Sequence, residues 1–305
     1  RHCFCCGCRI VRRITIGDIV RTFSDRALEI QPTGVRKMFD LAGDDAISFG
    51  LGEPDFQPPK VAIDAFHQAM LDGHNKYTTT AGLPALREKI ARSWDNYQNG
   101  MSEANVCITM SGTNALLNLF LTLVNPGENV LLPEPYFPLY GPDVTICGGE
   151  DRYYPCKFEN EFIPKVEDLE KLVDENTVAI LYNFPSNPTG GIIPKDEIDK
   201  LIKGLENYPN TMLMSDEIYD QFCFGETDFT SILNYPSIRD RLIILNGWSK
   251  TYAMTGWRLG YGVFPDSLID AADKLAVNVH SCVNASAQYA ALEALNGPQD
   301  CVNIM

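Results

Sequence analysis

The chain has 305 residues, 45% of them hydrophobic and 21% charged, with a formal net charge of −15. That length and apolar content support one large domain, or one large and one small, around a substantial core. The acidic balance excludes a nucleic-acid surface, which needs clustered Lys and Arg. No apolar run is long enough to span a membrane and the start lacks a signal-peptide pattern, so the expected location is the cytoplasm.

Residues 1–25 form a Cys- and Arg-rich leader, expected to be irregular and to bind no metal. Four of the ten cysteines crowd there, at Cys3, Cys5, Cys6 and Cys8, without a second pair at zinc spacing. The other six are scattered, as ordinary thiols in a reducing compartment are. After an N-terminal segment, residues 26–50, short apolar runs alternate with amphipathic stretches through one large domain, residues 51–297. The strands expected are Val106–Met110, Asn129–Leu132, Val178–Tyr182, Met212–Met214, Leu242–Leu245 and Leu259–Val263. Helical patterns lie between them at Leu116–Val124, Val166–Val173 and Glu197–Leu205. Strand then helix, repeated, predicts an α/β fold with a mostly parallel central sheet and helices on both faces. Ligands of such sheets sit at the carboxyl ends of the strands.

Unusual residues gather at those ends. Val106–Met110 runs into Ser111-Gly112-Thr113, a small-residue turn opening a helix. The free N–H groups of a helix start suit a phosphate, although the same residues serve a plain cap. Asn129–Leu132 leads to Phe137, an aromatic face or a core filler. Val178–Tyr182 leads to Asn187, whose amide can donate to a ligand oxygen from a turn. Met212–Met214 delivers Asp216, with Tyr219 three residues on. Leu242–Leu245 leads to Ser249 and Lys250, and Arg258 follows eight residues later. A lysine at a buried strand end loses basicity by desolvation and by a neighbouring cation, which makes it a nucleophile.

Each motif alone is ambiguous. Together they supply every part of a pyridoxal 5′-phosphate site: an anion for the pyridine nitrogen (Asp216), a stacking ring (Phe137) and donors to the phenolic oxygen (Asn187, Tyr219). Ser111, Gly112, Thr113, Ser249 and Arg258 are a phosphate cradle, and Lys250 is an amine for the aldehyde.

The sequence resembles the class I/II aminotransferases of fold type I, in their aspartate aminotransferase-like branch. The motifs are Gly50–Phe56, Lys76–Gly82, Ser111–Leu116, Asn187–Gly190, Ser215–Tyr219 and Ser249–Lys250 through Tyr261, in the family's order. The resemblance implies that Lys250 is the catalytic lysine and shuttles the proton. It implies that Gly52 and Asn187 meet the substrate, and that Tyr77 reaches the cofactor phosphate of a neighbouring subunit, making a homodimer. Substrates would be an L-amino acid, aspartate-like or other, and a 2-oxo acid such as 2-oxoglutarate. Gly247 departs from distant relatives, which carry a phosphate-binding serine there. Residues 298–305 would begin a small C-terminal domain, bearing a carboxylate-binding Arg, that the chain as given lacks. Two other readings are a carbon–sulfur lyase of the same fold and the sensor domain of a transcriptional regulator.

Overall fold

Apolar runs bounded by small polar turns become strands here because both faces of each run are buried. The computed structural model describes residues 14–16, 19–21, 23–41, 47, 49–50, 52–94 and 101–305. The chain divides into two compact units, 1–48 and 49–305. In the first, β1 (Ile14–Ile16) pairs antiparallel with β2 (Ile19–Arg21), and α1 (Asp25–Glu29) and α2 (Gly34–Leu41) follow. The four leader cysteines lie outside the described residues.

The second unit opens with α3 (Lys60–Leu71) and α4 (Pro84–Ser93), whose first residue is a proline, suited to a helix start by its fixed φ. Next come β3 (Val106–Thr109), α5 (Gly112–Leu123), β4 (Asn129–Glu134), α6 (Tyr140–Cys147), β5 (Glu150–Pro155) and α7 (Val166–Glu170). After them run β6 (Thr177–Asn183), α8 (Lys195–Leu205), β7 (Met212–Asp216), β8 (Leu242–Gly247) and β9 (Gly260–Val263). Helices α9 (Asp266–His280), α10 (Ala285–Asn296) and α11 (Asp300–Ile304) close the unit. Among the described residues, no helix is long and apolar enough to cross a membrane.

The strands form one sheet in the order β3-β9-β8-β7-β6-β4-β5. Strands β5, β4, β6, β7 and β8 pair in parallel, while β9 is antiparallel to both β8 and β3. Side chains alternate between two cores. Ile180, Leu213 and Ile244 meet α4, α8 and α10 on one face; Leu181, Met214 and Leu245 meet α5, α6 and α9 on the other. This is the predicted mostly parallel sheet with helices on both faces. The expected strands agree with the observed ones to within two residues at either end. Strand β5 was not among those expected, because it lies at the sheet edge and is polar and only partly buried.

The antiparallel β9 matters for the site. Gly260, its first residue, pairs with the last residue of β8, Gly247, and with the last of β3, Thr109. The carboxyl ends of β3, β4, β6, β7 and β8 therefore share one edge of the sheet with the start of β9.

Candidate active site

At that edge lies a cavity of about 290 Å³, close to the lower end of the range that holds small ligands. Every residue singled out in the sequence lines it except Tyr77. Tyr77 is 90% exposed and sits beside a separate open hollow with His74 and Cys282.

The turn after β3 opens α5. Ser111 caps α5, its Oγ accepting from the Asn114 N–H at 3.1 Å, and Thr109 Oγ1 donates to the Ser111 carbonyl at 2.8 Å. The expected cap is observed, and it leaves the hydroxyl proton of Ser111 and the first helical N–H groups free to donate. The turn is pressed against β9. A Cβ on Gly260 would come within 2.4 Å of the Gly112 nitrogen, and one on Gly247 within 2.9 Å of the Gly260 Cα. Glycine at 247, where distant relatives carry a serine, is thus a packing requirement of this chain.

Asp216 ends β7 at the cavity wall. Its Oδ2 accepts from the Tyr140 hydroxyl at 2.9 Å and its Oδ1 from the Ile218 N–H at 3.3 Å. Desolvation pushes its carboxyl up to about 6, against the pull of those two donors and of Lys250. Tyr140, almost fully buried at the start of α6, is itself held far above the usual phenol range by burial and by Asp216, so it stays a donor. Phe137 packs edge-on to Tyr140, ring centroids 5.5 Å apart.

Buried Asn183, the last residue of β6, ties two strand ends together. Its amide donates to the Asp216 carbonyl at 3.1 Å, and its Oδ1 accepts from the Asn187 N–H at 2.9 Å. Asn187 in turn donates to the Tyr219 hydroxyl at 3.3 Å. Lys250 stands with its amine 5.7 Å from the centre of the Tyr219 ring and donates to the Gly52 carbonyl. Desolvation lowers its basicity and Arg258 adds to that, while Glu53 and Asp216 oppose it. Arg258 takes a left-handed backbone conformation (φ 55°, ψ 58°), which for a residue with a Cβ costs about 1–2 kcal/mol. Its guanidinium donates to the Thr255 carbonyl at 2.8 Å, and the Thr255 hydroxyl donates to Glu53 at 3.0 Å.

Tyr140, Asn183 and Thr255 therefore belong to the site without having been singled out. Tyr140 follows Phe137 at helical spacing, which was the one signal available. Nothing local marks Asn183 or Thr255, whose side chains also reach Asp216 on the neighbouring strand and Glu53 beside Gly52.

The chain matches the family described as aminotransferase class I and II over residues 44–304. It is 35% identical over 289 residues to a probable aspartate aminotransferase of Methanocaldococcus jannaschii, covering 92% of this chain and 75% of that protein. It is 37% identical to an aspartate aminotransferase of Geobacillus stearothermophilus, covering 88% and 69%. Among solved structures, the aspartate aminotransferase of Thermotoga maritima superposes with a TM-score of 0.86 at 33% identity, over 91% of this chain and 76% of that one. The aromatic aminotransferase of Pyrococcus horikoshii gives 0.81 at 32% identity, over 89% and 73%. With the sheet, the cavity and these likenesses in agreement, the chain belongs to the class I and II aminotransferases, transaminases of the fold type I, pyridoxal-phosphate-dependent group.

Proposed function

We propose that the protein transfers an amino group between an L-amino acid and a 2-oxo acid such as 2-oxoglutarate, with pyridoxal phosphate held in the 290 Å³ cavity. The donor set suits that group. The Asp216 carboxyl faces the cavity without a cation in hydrogen-bond contact, and the phosphate-type cradle lies with it in the same cavity. Pyridoxal phosphate supplies an electron sink that makes the Cα–H of a bound amino acid acidic.

The residues divide the remaining work. Asp216 keeps a proton on a ring nitrogen, and Tyr140 keeps Asp216 in place. Asn187 and Tyr219 donate to the ring's hydroxyl oxygen, and Phe137 covers a face. The N–H groups of Gly112 and Thr113, the hydroxyls of Ser111 and Ser249 and the guanidinium of Arg258 bind phosphate. The Lys250 amine would hold the aldehyde end of the group and, when free, would take the proton from the substrate Cα and return it. Its depressed basicity leaves more free amine at neutral pH than an exposed lysine would have. Gly52 lies against the substrate carboxylate.

A homodimer in which Tyr77, exposed outside its own cavity, serves the partner's phosphate completes the reading. The scattered thiols, Cys107 and Cys156 among them buried without a disulfide, support a reducing compartment such as the cytoplasm.

The observation that carries this reading is the meeting of Lys250, Asp216 and Arg258 around one cavity. Borohydride reduction of the protein mixed with pyridoxal phosphate, followed by peptide mass spectrometry, should find the label on Lys250. Label on another lysine would refute the assignment. Incubation with amino acids and 2-oxoglutarate should then yield glutamate, whereas release of ammonia and sulfide would point to a lyase.

A further inference from the structure

The turn that carries Asp216 and Tyr219 has a second side. Glu217, between them, lines no part of the 290 Å³ cavity and is 1% exposed. Its Oε1 accepts from the Ser215 hydroxyl at 3.0 Å and from the Ile232 N–H at 3.2 Å, and its Oε2 accepts from the Ser231 hydroxyl at 2.8 Å. Ser231 caps the short helix that follows it, accepting from the Leu233 N–H at 3.2 Å. The Glu217 backbone N–H donates to the Leu245 carbonyl of β8 at 2.9 Å. One residue thus joins the end of β7 to β8 and to the segment at 231–233. The void beside it, about 20 Å³, is too small for any ligand larger than a water molecule.

We infer that Glu217 is a positioning residue for the cofactor site, fixing the Asp216–Tyr219 turn from the side opposite the cavity. The inference rests on the cofactor roles proposed above for Asp216 and Tyr219. Its logic is geometric. Asp216 is held by Tyr140 and Ile218, its carbonyl by Asn183, and the Glu217 N–H by Leu245. The three donors converging on the Glu217 carboxyl add the tie that fixes this turn to the segment at 231–233. Burial raises this carboxyl to about 8, so at neutral pH it is an uncharged acid. A glutamine, equally uncharged and of the same shape, should therefore keep the clamp. An alanine would strand three donors, all of them on buried residues.

The test compares wild-type protein with Glu217→Gln, Glu217→Ala and Leu205→Ala. The last removes a buried α8 side chain of the same core and reports loss of stability alone. Pyridoxal phosphate is titrated into each cofactor-free protein, and its visible absorbance and induced circular dichroism are followed together with the melting temperature. Glu217→Gln should keep the dissociation constant within about threefold of wild type and preserve the dichroic band. Glu217→Ala should weaken binding at least about tenfold, the penalty of stranded buried donors, and diminish the band. Leu205→Ala should melt earlier yet bind as wild type does.

Equal weakening in Glu217→Ala and Leu205→Ala, or wild-type binding by Glu217→Ala, would overturn the inference. If Glu217→Ala does not fold, Ser231→Ala replaces it, with a smaller loss expected in the same direction and unchanged binding overturning the inference. A wild-type protein that shows no Lys250-dependent band would sink the site assignment first, a failure separate from that of the clamp.

Discussion

Residues 246–252 divide their side chains between two cavities. Ser249 and Lys250 face the 290 Å³ cavity described above, while Asn246, Trp248, Thr251 and Tyr252 face another of about 320 Å³, together with Trp94 and Asp220. The second is slightly the larger and richer in aromatic rings, yet among the described residues that line it there is no lysine or arginine. Its carboxylate, Asp220, is raised by burial as Asp216 is, but is covered by the Asn246 amide at 3.2 Å. Asp216 also accepts two hydrogen bonds, from Tyr140 and Ile218, but it shares its cavity wall with an amine and a guanidinium. Opposed charges left apart by the protein, rather than volume, mark the place where a polar ligand belongs.

Substitutions can break that contrast, beginning with the largest effect. Lys250→Ala should lower transamination by about 10⁴-fold or more, measured with an amino acid and 2-oxoglutarate, and remove the visible band of the bound cofactor. Residual activity within tenfold of wild type would mean that the wrong cavity has been chosen.

Glu217 sharpens the distinction between acids that face a ligand and acids that face a core. The unfolded chain releases this proton from about pH 4.5, and the folded protein holds it until about 8. The folded state thus binds more protons across that window, and stability falls as pH rises through it. Glu217→Gln should remove this slope and be relatively stabilised by up to about 5 kcal/mol above pH 8. Denaturant melts at pH 5 and pH 8.5 would measure it, and parallel pH profiles for wild type and variant would contradict it.

Tyr140→Phe removes the shortest hydrogen bond to Asp216 and should cost about tenfold in kcat/KM, with weaker cofactor binding and little change in melting temperature. Tyr252→Phe, in the second cavity, deletes only the 2.8 Å bond to Gln299 and should leave activity within about twofold. A larger loss there would show that the two cavities are coupled.

The strands were readable because both their faces are buried, so Val178–Tyr182 and Leu242–Leu245 announce themselves as unbroken apolar runs. The lysine and carboxylate could be read as well, since each stands at or just beyond the exit of such a run, and the guanidinium just before the entry of another. What could not be read is the layer that holds them. Tyr140 meets a carboxylate 76 positions away, and Glu217 meets a serine 14 positions on. Those meetings depend on strand order, which periodicity does not encode. Tyr77 shows the opposite limit: its expected role came wholly from resemblance, and its place outside the cavity is neutral toward that role.

The facing glycines of β8 and β9 have a consequence for anyone redesigning this scaffold. Gly247 touches Gly260, and Gly260 touches the Ser111–Gly112 turn, so a methyl group at either position is transmitted as a displacement to that turn. Libraries that diversify substrate preference can vary the rim of the cavity freely but should treat these two sites and that loop as a single mechanical unit. Enlarging one member without rebuilding the others would move a strand rather than reshape a pocket.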